Sequence, residues 1–118
     1  MKERSLKISY DMQLKVKVEG HDIYAPVNWD EPVNITWNVT ELIKQSSGWD
    51  IENEQNNGTA EYISKFIEHG IDELEKHPDK YKKYEAPNGW GTVNGTLKFY
   101  RKFLLYLKEY PYAYVFPQ

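Results

Sequence analysis

Between residues 6 and 18 apolar and polar side chains alternate without a break: Leu6, Ile8, Tyr10, Met12, Leu14, Val16 and Val18 against Lys7, Ser9, Asp11, Gln13, Lys15 and Lys17. Successive side chains of a strand point to opposite faces, so this period of two predicts one long strand that buries one face and leaves the other in water. Glu19–Asp22, with Gly20, supplies turn residues, and Ile23–Val27 resumes an extended run. The pair therefore predicts an antiparallel hairpin with Pro26 at its end or edge. A third extended segment is expected where Val33, Ile35, Trp37 and Val39 alternate with Asn34, Thr36 and Asn38, the last three forming its polar face.

The period then changes. Thr40 is expected to cap a short helix, Glu41–Ser47, ended by Gly48. Trp49–Gly58 is rich in Asn, Glu and Gln and reads as a polar loop. Thr59 predicts the cap of a longer helix with Ile63, Phe66, Ile67, Gly70, Ile71 and Leu74 on one stripe, ended by Pro78. Asp79–Tyr84 leads into a turn at Asn88–Gly91, after which Val93, Leu97, Tyr100, Leu104 and Leu107 mark a second long helix up to Pro111. Tyr112–Phe116 alternates again and would complete a sheet edge. No internal repeat or linker is visible, and a chain of 118 residues buries about two-thirds of its unfolded surface. Residues 1–118 are expected to form a single domain of the α+β class, an antiparallel sheet with a long N-terminal strand and hairpin packed against two principal helices.

Composition limits the chemistry. The chain has no cysteine, so disulfides, thiolate nucleophiles and cysteine zinc sites are excluded, which fits a reducing cytosol. Met1–Leu6 carries charges with no apolar run after them, so neither a signal peptide nor a membrane partner is expected. The sequons at Asn34, Asn38, Asn57 and Asn94 then carry no expectation of glycosylation. A net charge of −3 offers no general attraction to phosphate backbones, and no DNA or RNA duplex is expected as a partner. Lys80, Lys82 and Lys83, and then Lys98, Arg101 and Lys102, form two local basic clusters, suited to one or two phosphates or to solvated helix faces.

No catalytic constellation emerges. There is no Gly-x-Ser-x-Gly elbow and no phosphate-cradling Gly-x-x-x-x-Gly-Lys, and His69 and His77 are not spaced to place two metal ligands on one helix face. His77, beside Pro78, reads as a cation at a helix C-terminus. Glu68, Asp72 and Glu75 fall on the polar side of their helix, and Asp30 and Glu31 read as turn residues before Pro32. The expectation is a protein that is not an enzyme and takes no metal or cofactor.

Two short segments stand apart, Asn34–Thr40 and Pro87–Gly91. Small polar residues beside an indole suit a flat, hydrogen-bonding ligand such as a nucleobase, since a ring stacks on it for about 1–3 kcal/mol while amides and hydroxyls read its edges. Trp90 sits between two glycines, which let the backbone approach a ligand closely. The same residues also fit a plain reading, with Trp37 and Trp90 as core aromatics and the glycines as turn residues.

The order of Asn34–Thr40, His77-Pro78-Asp79-Lys80-Tyr81, Pro87–Gly91 and Pro111-Tyr112-Ala113 resembles a widespread family of small phage-encoded proteins, over residues from about 20 to 115. The family includes the anti-CBASS sponges, which sequester cyclic dinucleotide alarm signals without cleaving them. The resemblance implies a phage immune-evasion protein of the host cell cytoplasm that blocks CBASS defence as a homo-oligomer, with a tetramer suggested, and whose ligand is a cyclic dinucleotide such as 3',3'-cyclic GMP-AMP. Matched position by position, the implied ligand-binding residues are Thr36, Asn38, Asn88, Gly89, Trp90 and Gly91. Lys98 and Arg101 are added on charge and spacing, one helical turn apart after the Trp-Gly turn. After Thr40, Glu41-Leu42-Ile43 replaces the family's Pro-Met-aromatic, so a ligand role for the short helix is not carried over. An alternative is a phage interaction module that inhibits a host macromolecule through the same aromatic residues with no small ligand. A phosphodiesterase would need paired histidines or a metal cluster, which the sequence does not show.

Overall fold

The computed structural model describes residues 9–21, 23–27, 33–52, 58–86, 89 and 91–117. Leu6 and Ile8 of the alternating run lie outside the described residues. From Ser9 the pattern holds as strand β1, Ser9–Lys17. Tyr10, Met12 and Leu14 are buried while Asp11 and Lys17 are exposed, as a two-faced strand requires. β1 is the hub of an antiparallel sheet. It pairs with β2, Tyr24–Pro26, through the hairpin, with β3, Val33–Thr36, and with β4, Tyr114–Pro117. Pro26 ends β2 opposite Lys15.

Two long antiparallel helices, α2 (Ala60–Lys76) and α4 (Val93–Glu109), cover the apolar face. Pairing of Lys108 with Glu68 and of Arg101 with Glu75 fixes their opposed directions. Thr59 caps α2 by accepting from the Tyr62 amide at 3.2 Å. The fold is α+β. Among the described residues no helix is long and apolar enough to cross a membrane.

Several local expectations change. β3 stops at Thr36, and Trp37–Val39 turns as a 3-10 helix. Asn38 therefore does not continue a polar strand face, and Val39 is buried beneath the turn. The turn runs directly into α1, Thr40–Ser47, so Thr40 is its first residue and no side chain caps it. Gly48 does end α1, at φ 85°. α2 stops at Lys76, and Pro78 opens a one-turn helix, α3 (Pro78–Tyr81), at the position where a missing N–H costs nothing.

The segment after α1, expected to be a polar loop, carries Trp49 fully buried and Ile51 nearly so. Trp49 stacks on Phe103 with ring centroids 5.6 Å apart, and Phe103 stacks on Phe99 at 5.3 Å. These rings also rotate α4 from its expected stripe. Phe99, Tyr100, Phe103, Tyr106 and Leu107 face inward, whereas Leu97 and Leu104 are only half-buried. Aromatic side chains remove more area from water than leucines, and the helix settles with that side on α2 and the sheet.

The tyrosine hydroxyls within this core are satisfied. Tyr100 lies across bare Gly70, where a β-carbon would meet its ring at 2.6 Å, and its hydroxyl reaches Ser46 Oγ at 2.6 Å. The Tyr81 hydroxyl donates to Glu73. Burial pushes the phenol of Tyr100 up to about 12, and burial together with the Glu73 bond does the same for Tyr81. The hydrogen bond from Tyr81 holds Glu73 below its ordinary value, and that from Lys76 holds Asp72 down.

The consequences for pH follow by linkage. A carboxylate with a depressed folded value stabilises above its ordinary range and loses that contribution as pH falls through the folded value, so acid weakens the fold. A phenol raised from 10.0 to about 12 stabilises fully below pH 10 and loses its contribution as pH rises toward 12. The melting temperature is expected to fall steeply between about pH 10 and pH 12, and less steeply in Tyr100→Phe. Thermal scans across that range check this, and equal slopes for the two proteins would contradict it.

Candidate functional site

Gly91, the last residue of the Pro87–Gly91 segment, meets the Asn34–Thr40 segment. Gly91 is buried, and a β-carbon placed on it would lie 2.5 Å from Val39 Cγ1 and 3.5 Å from Asn38 Cβ. No residue larger than glycine fits there without a shift, so backbone seats directly on the 3-10 turn. The Ala86–Gly91 loop closes on itself: the Ala86 amide donates to the Gly91 carbonyl at 3.0 Å, and the Gly89 amide to the Ala86 carbonyl at 3.1 Å. Gly89 is exposed at φ 78°, in the left-handed region. Glu85, which the sequence did not single out, locks this loop to α4 by accepting from the Val93 amide at 2.7 Å. Thr92 caps the same helix end through the Gly95 amide at 2.9 Å.

Asn38 and Gly91 are thus neighbours, with Gly89 on the same loop. Thr36 closes β3 two residues before Asn38, half-buried opposite Ser9. Asn34 is committed elsewhere, donating to Asp11 at 2.7 Å across the strands on the open face of the sheet. Asn88, Trp90 and the side chain of Trp37 lie outside the described residues.

The expected cations divide. Arg101 pairs with Glu75 on the neighbouring helix at 2.5 Å. Lys98 is exposed and forms no ion pair among the described residues. In the other cluster Lys80 meets Glu73, Lys82 meets Asp79, and Lys83 lies 5.3 Å from the centre of the Tyr84 ring. Among the described residues no three of His, Asp and Glu converge to hold a metal ion.

The structure also contains a cleft that the motifs did not indicate. About 260 Å³ in volume, it is lined by Ser47, Tyr62, Lys65, Phe66 and His69. Four of these residues follow helical spacing along α2, a second stripe beside the one that faces the core. That stripe was present in the sequence, but charged and aromatic residues mixed on one face did not mark it as a cavity.

On the opposite side of the molecule the sheet leaves one face uncovered by the helices. Tyr24, Tyr114 and Phe116 cluster there, with the Tyr24 ring 5.5 Å from Tyr114 and 5.2 Å from Phe116, and Lys15 lies over Phe116 at 4.9 Å. Tyr24 and Tyr114 remain about two-fifths exposed, at 41% and 39%. No family model, curated protein or solved structure matches this chain.

Proposed function

We propose that the chain is a phage immune-evasion protein that binds and sequesters cyclic dinucleotides, such as 3',3'-cyclic GMP-AMP, in the host cytoplasm without cleaving them, and so blocks CBASS defence. The reading begins from the resemblance of its Asn-x-Thr-x-Asn-Val and Asn-Gly-Trp-Gly segments. The observation that carries it is the contact of Gly91 with Asn38 and Val39, which unites those two segments although they are remote in the chain. In this reading Thr36, Asn38, Asn88, Gly89 and Gly91 supply amide, hydroxyl and backbone groups to base edges, and the Trp90 indole supplies a stacking face. Of the two cations assigned to the ligand, Lys98 is the one without an ion pair among the described residues, and Arg101 would have to leave Glu75 to join it.

The purified protein is expected to retain a cyclic dinucleotide from a mixed panel and to return it intact on heat denaturation, read by mass spectrometry. Asn38→Ala and Trp90→Ala should each weaken binding by about 1–3 kcal/mol with the melting temperature preserved. Linear products accumulating with time, or no retention of any panel member, would overturn the reading.

A second reading, an interaction module acting on a host macromolecule, is favoured by the exposed Tyr24 and Tyr114 beside the half-buried Phe116. Self-association through such aromatic surface would also suit the proposed homo-oligomer. Light scattering at micromolar concentration measures the subunit number, and a monomer mass would remove the oligomer.

A further inference from the structure

The cleft between the end of α1 and the outer stripe of α2 has walls and charge of different kinds. Tyr62 and Phe66 meet edge to face, their ring centroids 5.2 Å apart at 81°. Each ring is braced by a glycine. The Phe66 ring lies 3.6 Å from where a Gly48 side chain would begin, and the Tyr62 ring 3.0 Å from the corresponding point of Gly58. The Ser47 hydroxyl is already used, donating to the Ile43 carbonyl at 2.6 Å and accepting from the Trp49 amide at 3.0 Å. The walls are therefore almost wholly apolar and aromatic, and the polar groups at hand for a ligand, each a small part of the lining, are Lys65, His69 and the Tyr62 hydroxyl.

Lys65 and His69 have no ion-pair or hydrogen-bond partner among the described residues, whereas the other charges of the helix are largely engaged. Glu68 holds Lys108, Asp72 holds Lys76, Glu73 receives Tyr81 and Lys80, and Glu75 holds Arg101. Glu61, one turn before Lys65, forms no ion pair with it. Two residues carrying nitrogen donors, Lys65 and His69, stand beside an apolar ring pair on one cleft. That combination complements a ring carrying one anionic group, which the rings contact by face or edge and the Lys65 ammonium and His69 imidazole N–H hold at the charged end. At about 260 Å³ the space falls below the range of roughly 300–1,000 Å³ typical of drug-sized ligands. It suits a single ring with its substituent and is too small for a cyclic dinucleotide.

We propose that this cleft binds a small planar anion, an aromatic ring bearing one carboxylate or phosphate, at a site separate from the Asn38–Gly91 junction. Phenyl phosphate and benzoate are the probes for the two kinds of anion, with inorganic phosphate testing charge without a ring and benzyl alcohol a ring without charge. In amide-detected NMR titrations at millimolar concentration, at least one of the two aryl anions is expected to shift the Ser47, Gly48, Tyr62, Phe66 and His69 amides saturably. The stronger of the two identifies the anion. Inorganic phosphate and benzyl alcohol should each bind at least about tenfold more weakly. Lys65→Gln and Tyr62→Ala, both at exposed positions, should each weaken the aryl anion by about fivefold or more with the melting temperature little changed, while Asn38→Ala leaves it unaltered. Absence of saturable shifts at the cleft, inorganic phosphate matching phenyl phosphate, or full affinity in both Lys65→Gln and Tyr62→Ala would overturn the proposal. Cyclic dinucleotide retention, measured separately, reports on the other site and is expected to survive both cleft variants.

Discussion

Trp49→Ala is expected to destabilise the fold by about 3–5 kcal/mol, the usual cost of deleting a large buried aromatic. Trp49 is wholly enclosed and stacks on Phe103, itself wholly enclosed, so truncation opens a cavity bordered by rings held by their own neighbours. The surroundings have little freedom to collapse into it. Phe103 is also stacked on Phe99, and the Trp49 backbone is tied to α1 through the Ser47 hydroxyl. Urea unfolding followed by far-UV circular dichroism measures the loss, with Leu105→Ala as a reference. Leu105 is 74% exposed, and its replacement should stay within about 0.5 kcal/mol. A loss below about 1 kcal/mol for Trp49→Ala would mean that the segment after α1 does not seal the core.

Gly91→Ala should also be costly, by about 1–3 kcal/mol, because its β-carbon would sit 2.5 Å from Val39 Cγ1 and one segment must move away from the other. Val39→Ala alone should lose about 2 kcal/mol through its missing methyl groups and the space they leave. The double variant Gly91→Ala with Val39→Ala replaces the clashing methyl by the added one. It is expected to be more stable than the sum of the single losses predicts, by about 0.5–3 kcal/mol. Strict additivity in a denaturant cycle would show that the two segments are not in contact. Under the proposed function, Gly91→Ala should weaken cyclic dinucleotide retention and the double variant should restore part of it, because both depend on the same seat of Gly91 against Asn38 and Val39.

The elements that were legible from the residues are those in which local periodicity and burial coincide. β1 alternates because one of its faces is core and the other is not, and that division is sharp from Tyr10 to Leu14, beyond which Lys15 and Val16 are both half-buried. The hairpin to β2 follows from the turn residues between them, and α2 from its stripe and the Thr59 cap. β3 ends three residues before its alternation does because Val39 fits either an alternating strand or the inward side of a 3-10 turn, and periodicity alone does not separate the two. The candidate site was legible as two motif segments of Trp, Asn and Gly. Their contact was not, since it depends on the loop before α4 closing over the turn before α1.

The sequence by itself determined the α+β class, the long central strand, the two principal helices and the return of the tail to the sheet, because strand alternation, helical stripes and caps are written in neighbouring residues. Tertiary structure decided which of two apolar sides of α4 turned inward, that Trp49 left its polar neighbours to complete the core, that Arg101 was spent on Glu75, and that Lys65 and His69 came to line a cleft. Each of those outcomes is a choice among partners of similar local chemistry. It is settled by the area removed from water and the charges satisfied once distant elements pack, quantities that exist only between segments far apart in the chain.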